Sequence, residues 1–367
     1  MKRLFAFKSH YQKAKEFYAR YERWLIPVML FLGFWLDYFT FSNIEISTTL
    51  ILLLSYWFIA ALGIIFIQLF DEGKLPQKLK YLRLFSPLAI QLTFGALLGG
   101  PFVFYWFSGS FWVSWPFILA VLLLMVSNEV FRDHFLKPKV QISIYFYITL
   151  SLFSLSIPFL FHSLSPWLFV LAGALALVFI LLFVLLLSVI SPYIKQQWKF
   201  FALSVSIIFV IMNFFYFTNL IPPIPLSIKE TNVYHSVQRS GAGYLLKGEE
   251  ETVWQKLGLV KQTVHLAPNE RAYVYTAIFA PSKLNTKIFH EWQYYDEAKG
   301  AWVIKDRLFF NLVGGRKQGF RGYSLKSVLP AGAWRVYVKT ERGQTLGRVK
   351  FNIEKVESLV ELKETVR

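Results

Sequence analysis

The chain has 367 residues, 55% of them hydrophobic and 19% aromatic against 17% charged, a balance that excludes an ordinary soluble protein and points to the membrane. It has no cysteine, which removes disulfides, thiolate metal sites, iron–sulfur clusters and a cysteine nucleophile. The net charge of +17 follows from where lysine and arginine fall along the chain and does not signal nucleic-acid binding.

Residues 1–23 are basic and aromatic. Tyr11, Ala14, Tyr18 and Tyr21 share one helical face while Lys13, Arg20 and Arg23 point elsewhere, the pattern of an interfacial helix on the inner leaflet. A solvated basic tail is the simpler alternative. No small-residue cleavage site follows, so the segment does not read as a signal peptide.

Seven apolar runs come next, at 24–41, 48–70, 85–107, 111–127, 140–161, 166–190 and 200–220. Most are long enough to cross roughly 30 Å of hydrocarbon. The first and fourth are short and carry Pro27 and Pro116, and Pro27 would sit in the tolerated first turns of its helix. Between the runs, the N-terminus and alternate loops carry sixteen lysines and arginines, and the intervening loops FSNIEIS, SGS and HSLS carry none. By the positive-inside rule the N-terminus is cytoplasmic, and an odd number of spans puts everything after Leu220 outside the cytoplasm.

Within the runs ionisable groups are scarce. Asp37 lies about 13 residues, or roughly 20 Å, from the inner edge of the first run. An acid at that depth is either a functional intramembrane group or an interfacial one in reach of water. Gln68, Gln91 and Asn213 read as interhelical hydrogen bonds. Gly95, Gly99 and Gly100 in FGALLGGP offer a close helix contact, or a broken helix lining a path.

The proline-rich stretch 221–227 ends the last helix and forms a linker. From 228 to 354 the texture has period two. Trp334, Val336 and Val338 alternate with Arg335, Tyr337 and Lys339, and Val349, Phe351 and Ile353 alternate with Lys350 and Asn352. Similar runs occur at 259–266, 271–279, 287–295 and 302–313, separated by turn sequences such as APNE, DEAKGA and ERGQ. The expected fold is a small antiparallel, immunoglobulin-like β-sandwich with a possible short helix at 249–257. Residues 355–367 read as a charged tail or a weak terminal helix.

Catalytic signatures are missing from the sequence. His290-Glu291 starts like a zinc-protease motif, but Tyr294 stands where the second histidine belongs. The six histidines read as scattered, and GAGY at 241–244 reads as a flexible turn. The soluble part carries 23 Lys and Arg against 14 Asp and Glu, a net of +9. Such a domain attracts anionic headgroups and envelope polymers, or its charge serves solubility alone.

The segment from His290 to Ile353 resembles a bacterial family known only as domain of unknown function 2914. The resemblance rests on HEW (His290, Trp292), GFRGYSLK (Arg321, Ser324, Lys326), PAGAWRVYV (Gly332, Trp334, Arg335, Val336), the Gly343 turn and the closing strand with Phe351. Where the family pattern has a tryptophan between arginine and serine, this chain has Tyr323. The resemblance implies a bacterial envelope protein with no assigned activity and no established catalytic residues.

The sequence thus predicts a non-enzymatic, cofactor-free inner-membrane protein among membrane lipids. Its periplasmic β-domain would bind an anionic or glycan envelope component, or a protein. Arg321 and Lys326 would supply charge, Ser324 a hydroxyl, and Trp292 or Trp334 an apolar wall, with His290 beside them. Arg321 has the opposite strand parity to Ser324 and Lys326, so a shared clamp would require a bulge near Gly322. The rival expectation is a multi-pass transporter with the β-domain as an accessory.

Overall fold

The computed structural model describes residues 2–43, 46–107, 115–116, 119–120, 122–123, 137–221, 226–241, 243–250, 252, 255, 261–280, 284–313 and 319–367. The chain forms two compact units, a helical one and a β-rich one that holds residues 218–367.

In the helical unit, α1 (Lys2–Asn43), α2 (Ile46–Asp71), α3 (Lys80–Phe107), α4 (Pro138–Leu160), α5 (Pro166–Ile190), the short α6 (Pro192–Gln196) and α7 (Trp198–Phe217) follow in order. Five helices among the described residues are long and apolar enough to cross a membrane: Leu50–Asp71, Gln77–Gly99, Pro138–Leu160, Pro166–Ile190 and Trp198–Phe217. The expected fourth run at 111–127 lies almost wholly outside the described residues. The interfacial helix and first span expected as separate elements form one continuous helix, with Pro27 in its interior rather than its first turn. Proline there forfeits one backbone hydrogen bond without ending a long apolar helix.

Helix α4 is the hub of this unit, buried along most of its length. The Tyr145 hydroxyl donates to the Trp57 carbonyl at 3.0 Å, and the Trp57 indole N–H donates to Thr149 Oγ1 at 2.9 Å. Phe94, Phe179 and Phe183 pack around the Tyr145 ring. Gly95 does serve a close helix contact: a Cβ there would fall on the Leu30 carbonyl of α1, and one at Gly33 would fall on the Leu92 carbonyl of α3. Asn213, expected to bond between helices, donates back to the Phe209 carbonyl of its own helix at 2.8 Å. Proline opens α5 and the proline that opens α6 follows its end, where Lys74 Nζ donates to the Ile190 carbonyl at 2.9 Å.

The β-rich unit has eleven strands among the described residues: β1 (Ser227–Tyr234), β2 (Ser236–Ser240), β3 (Gly243–Gly248), β4 (Gln262–Leu266), β5 (Ala272–Phe279), β6 (Asn285–Asp296), β7 (Ala301–Val313), β8 (Phe320–Lys326), β9 (Gly332–Thr340), β10 (Thr345–Lys355) and β11 (Lys363–Val366). They form a three-stranded sheet β1-β5-β8, a five-stranded sheet β4-β10-β9-β6-β7 and a small sheet β11-β3-β2. The inward alternation of the first two supplies a shared core that holds Val233 and Val274 from one sheet with Trp292, Trp334, Val336 and Phe351 from the other. Burying each indole contributes on the order of 4 kcal/mol. The small sheet lays Val237 and Leu246 on Tyr275 and Ala277, on the outer face of the three-stranded sheet.

This architecture departs from the expected antiparallel sandwich in three respects. A third sheet is present, and β4 pairs with β10 in parallel, Val264 opposite Ile353. The expected charged tail contains β11, which pairs with β3, and the Arg367 N–H donates to the Tyr244 carbonyl at 2.9 Å. The helix expected at 249–257 falls largely outside the described residues. Turns lie where the sequence predicts them: Asn269, Gly300 and Gly343 all take positive φ, as does Gly241 in the β2–β3 turn.

Candidate functional site

GFRGYSLK forms β8, in unbroken antiparallel register with β5. Gly322 and Ser324 face inward, and Tyr323 and Leu325 face outward. Glycine is required at 322 because an added Cβ would lie 2.6 Å from the Phe310 ring. No bulge interrupts the pairing, so Arg321 and Lys326 leave opposite faces of the sheet. Lys326 is ion-paired with Asp306 on β7. Half-buried Arg321 lies on the Tyr275 side of the sheet, where its charge is felt by that phenol.

The structure does bring His290, Trp292 and Ser324 together. The Trp292 indole N–H donates to Ser324 Oγ at 2.9 Å, Ser324 Oγ lies 2.7 Å from His290 Nδ1, and His290 Nε2 lies 2.9 Å from Thr276 Oγ1. An indole N–H only donates, so Ser324 Oγ accepts from Trp292. The neutral His290 ring, with one donor and one acceptor nitrogen, bridges Ser324 and Thr276. Thr276 and Ser324 come from the three-stranded sheet and His290 and Trp292 from the five-stranded one, so the chain of bonds fastens the two sheets across their interior. His290 and Trp292 are fully buried, and burial pushes the His290 pKa down to about 3. The imidazole is neutral and has no contact with solvent. Trp334 meets Trp292 edge-on and donates to the Pro330 carbonyl at 3.0 Å. Four of the six β-domain candidates therefore make contacts within the protein core. Asp37 belongs to α1, and its side chain lies outside the described residues.

Two clusters escaped the sequence reading. His235 and His265, read as scattered, converge on Glu249. Its Oε1 lies 3.0 Å from His235 Nε2 and accepts the His265 backbone N–H at 2.6 Å, while Oε2 lies 2.7 Å from His265 Nδ1. The outer nitrogens face Glu270 at 3.7 Å and Glu354 at 3.6 Å. Burial raises the Glu249 carboxyl, but its hydrogen bonds from His265 and His235 outweigh that and hold it below its ordinary value. Glu249 in turn raises His265. Thirty residues separate the two histidines, so no local spacing signals the pair.

The second cluster covers the outward face of the five-stranded sheet. Register places Ile304, Gln293, Arg335 and Lys350 on one rung and Arg307, Glu291, Tyr337 and Arg348 on the next. Phe309, Phe289 and Lys339 follow on a third. Glu291 is only 2% exposed beneath Lys339 and Arg307, which donate to it at 2.6 and 2.9 Å. Burial raises its carboxyl, but the Lys339 hydrogen bond and charge, with Gln293 and Arg307, prevail and keep it ionised. Arg335 lies over the Trp302 ring at 4.2 Å, and Arg335, Lys339 and Arg348 surround the Tyr337 ring. The alternation of Arg335, Tyr337 and Lys339 was visible in the sequence; what it lacked was the neighbouring strands that turn a solvated edge into a field of cations.

A family model described as "Protein of unknown function (DUF2914)" matches residues 285–353, from the start of β6 into β10. The buried network's His290, Trp292 and Ser324 and the outward cations Arg335, Lys339, Arg348 and Lys350 all lie inside that segment. No curated protein matches the chain. Among solved structures, one similar chain is a β-glucosidase from Listeria innocua in complex with gluconolactone, 13% identical over 34% of this chain and 16% of that one, with a TM-score of 0.19. Another is the Pseudomonas fluorescens alkylpurine DNA glycosylase AlkC bound to DNA containing an abasic site analog, 10% identical over 82% of this chain and 97% of that one, with a TM-score of 0.23. At those scores neither bears on fold or activity, and this chain spans about one sixth of the glucosidase's length.

Proposed function

We propose that the chain is a seven-span inner-membrane protein with a cytoplasmic N-terminus, and that its periplasmic β-unit is a non-enzymatic module that binds an anionic envelope component. One observation carries the binding reading. The outward face of the five-stranded sheet has Lys287, Arg307, Arg335, Lys339, Arg348 and Lys350 set among aromatic rings, with Glu291 and Glu354 as its carboxylates. Glu291 is taken by Lys339 and Arg307, and Glu354 faces His265, which leaves the field strongly positive. Guanidinium groups held over aromatic rings can still offer bidentate contact to carboxylate or phosphate oxygens. The distribution of sixteen basic residues among alternate loops supports the orientation.

Binding is tested with the full chain in nanodiscs of neutral lipid, presented with lipopolysaccharide and a polyuronate at physiological salt. Capture of either polymer that falls about tenfold in Arg335→Gln supports the module, and capture that is absent or indifferent to that change removes it. For the topology, a reporter fused after residue 367 should be active only outside the cytoplasm.

A further inference from the structure

The outward face of the five-stranded sheet is graded. On β7 it presents exposed Ile304 and Phe309, and at β10 it presents Arg348 and Lys350, with Lys261 beside them at the start of β4. Strands β7 and β10 are three spacings apart, so the apolar and cationic margins are separated by about 14 Å. Glu291 on β6 is shared by Lys339 and Arg307 and offsets one of their two charges. At the far margin burial lowers the Lys350 pKa, and the charges of Arg348, Lys261 and Arg335 lower it further. Among the described residues none of these four cations has a carboxylate partner within ion-pair distance. Arg335 bonds to the Gln293 amide oxygen at 2.7 Å and stacks on Trp302. Holding four like charges together costs stability that a bound anion of matching charge would offset.

We propose that this face is a docking surface for an anionic lipid whose headgroup ends in a phosphomonoester. The doubly charged phosphoryl group would sit on Lys261, Arg335, Arg348 and Lys350, and the less polar part of the lipid would lie toward Ile304 and Phe309. The proposal rests on the anion-binding reading above and names its ligand. Charge complementarity argues for the phosphoryl group, because four cations that have no carboxylate within ion-pair distance among the described residues suit a dianion better than a singly charged diester. The apolar margin argues for a lipid over a soluble polymer, since headgroup and glycerol together span a distance comparable to that between the margins.

The test measures binding of vesicles to the full chain in neutral-lipid nanodiscs. Vesicles doped with phosphatidic acid are compared with phosphatidylglycerol vesicles of matched surface charge, and free pyrophosphate and a polyuronate are run in parallel. Preference for phosphatidic acid by about tenfold, lost in the double variant Arg348→Gln/Lys350→Gln, weakened in Phe309→Ser and kept in the distant Lys299→Gln, supports the proposal. Equal binding to the two lipids, or binding unchanged in the double variant, overturns it. Pyrophosphate binding without vesicle binding also overturns the lipid assignment. Polyuronate binding without phosphatidic acid binding overturns it too but leaves the anion-binding module standing, whereas no binding to any of these removes both. The double variant should melt at the same or a higher temperature, because repulsion is relieved. A lower melting temperature would show that these cations are compensated within the protein and would overturn the premise.

Discussion

The buried imidazole of His290 makes the β-unit sensitive to acid in a way that can be isolated. An unfolded histidine titrates near 6.5, whereas burial holds the folded one near 3. Because the folded pKa is depressed, His290 contributes its full share of stability above pH 6.5 and loses it as pH falls, when the unfolded chain takes up a proton that the folded chain refuses. The slope is about 1.4 kcal/mol per pH unit, so at pH 4.5 the loss is roughly 2.7 kcal/mol. The assay is hydrogen exchange of the β6 and β8 amides between pH 7 and 4.5, corrected for the intrinsic pH dependence of exchange. Glu249 and Glu291 also lose their contribution in acid, so the quantity to read is the difference from His290→Gln, whose amide does not titrate. The wild-type chain should show the extra slope and the variant should lack it. Equal slopes, or a folded imidazole that titrates near 6.5 by NMR, would refute the account.

Other expectations follow from the same contacts. Ser324→Ala strands the Trp292 indole N–H and His290 Nδ1 in the core and should cost about 2–5 kcal/mol in chemical unfolding, with Ser324→Thr showing whether a hydroxyl restores part of it. His265 is raised by Glu249, so its contribution is complete below pH 6.5 and fades as pH rises through its higher folded value; exchange at β3 and β4 should quicken above neutrality, and His265→Gln should flatten that dependence. Gly95→Leu drives a side chain into the α1 backbone at Leu30 and should lower the melting temperature of the helical unit by several degrees, whereas Gly73→Ala, where a Cβ meets no atom but φ is +70°, should cost only the roughly 1–2 kcal/mol of holding alanine in the left-handed region. Lys339→Met leaves buried Glu291 short of its nearest cation and should destabilise the β-unit by about 3 kcal/mol, whereas Glu291→Gln/Lys339→Met together should cost less.

The strands most legible in the sequence were those with one face in the core and one in solvent. In β9, Trp334, Val336 and Val338 alternate with polar residues because the five-stranded sheet is covered on one side only. Strand β1 gave no such signal: its register slips between Ile228 and Glu230, and polar Glu230 and Asn232 share a face with Tyr234. Strand β11 is four residues long, and its pairing partner lies more than a hundred residues upstream. In β8, the edge strand of its sheet, the inward positions are Gly322 and Ser324, so the stretch lacked the apolar alternation of a core strand and its polar residues read as candidate contacts. Ring packing calls for that glycine, and the serine joins Trp292 to His290 in a network whose other members are distant in sequence. Five of the apolar runs were legible as span-length helices by length alone, but the continuity of α1 through Pro27 was not, because proline more often marks a boundary than an interior.

The parallel pairing of β4 with β10 also constrains how the β-unit folds. Strand β4 (Gln262–Leu266) leaves the ribosome well before its sheet partner among the described residues, 351–355. Until then Val264 and Leu266 have an unpaired backbone edge, and the five-stranded sheet cannot close at that side. Contacts so far apart in sequence slow folding, and the open edge is the segment most exposed to pairing with another chain in the meantime. A nascent chain halted between β4 and β10 should therefore be the aggregation-prone species. The rate at which the residues from β5 through β10 arrive would then bear on the yield of folded protein.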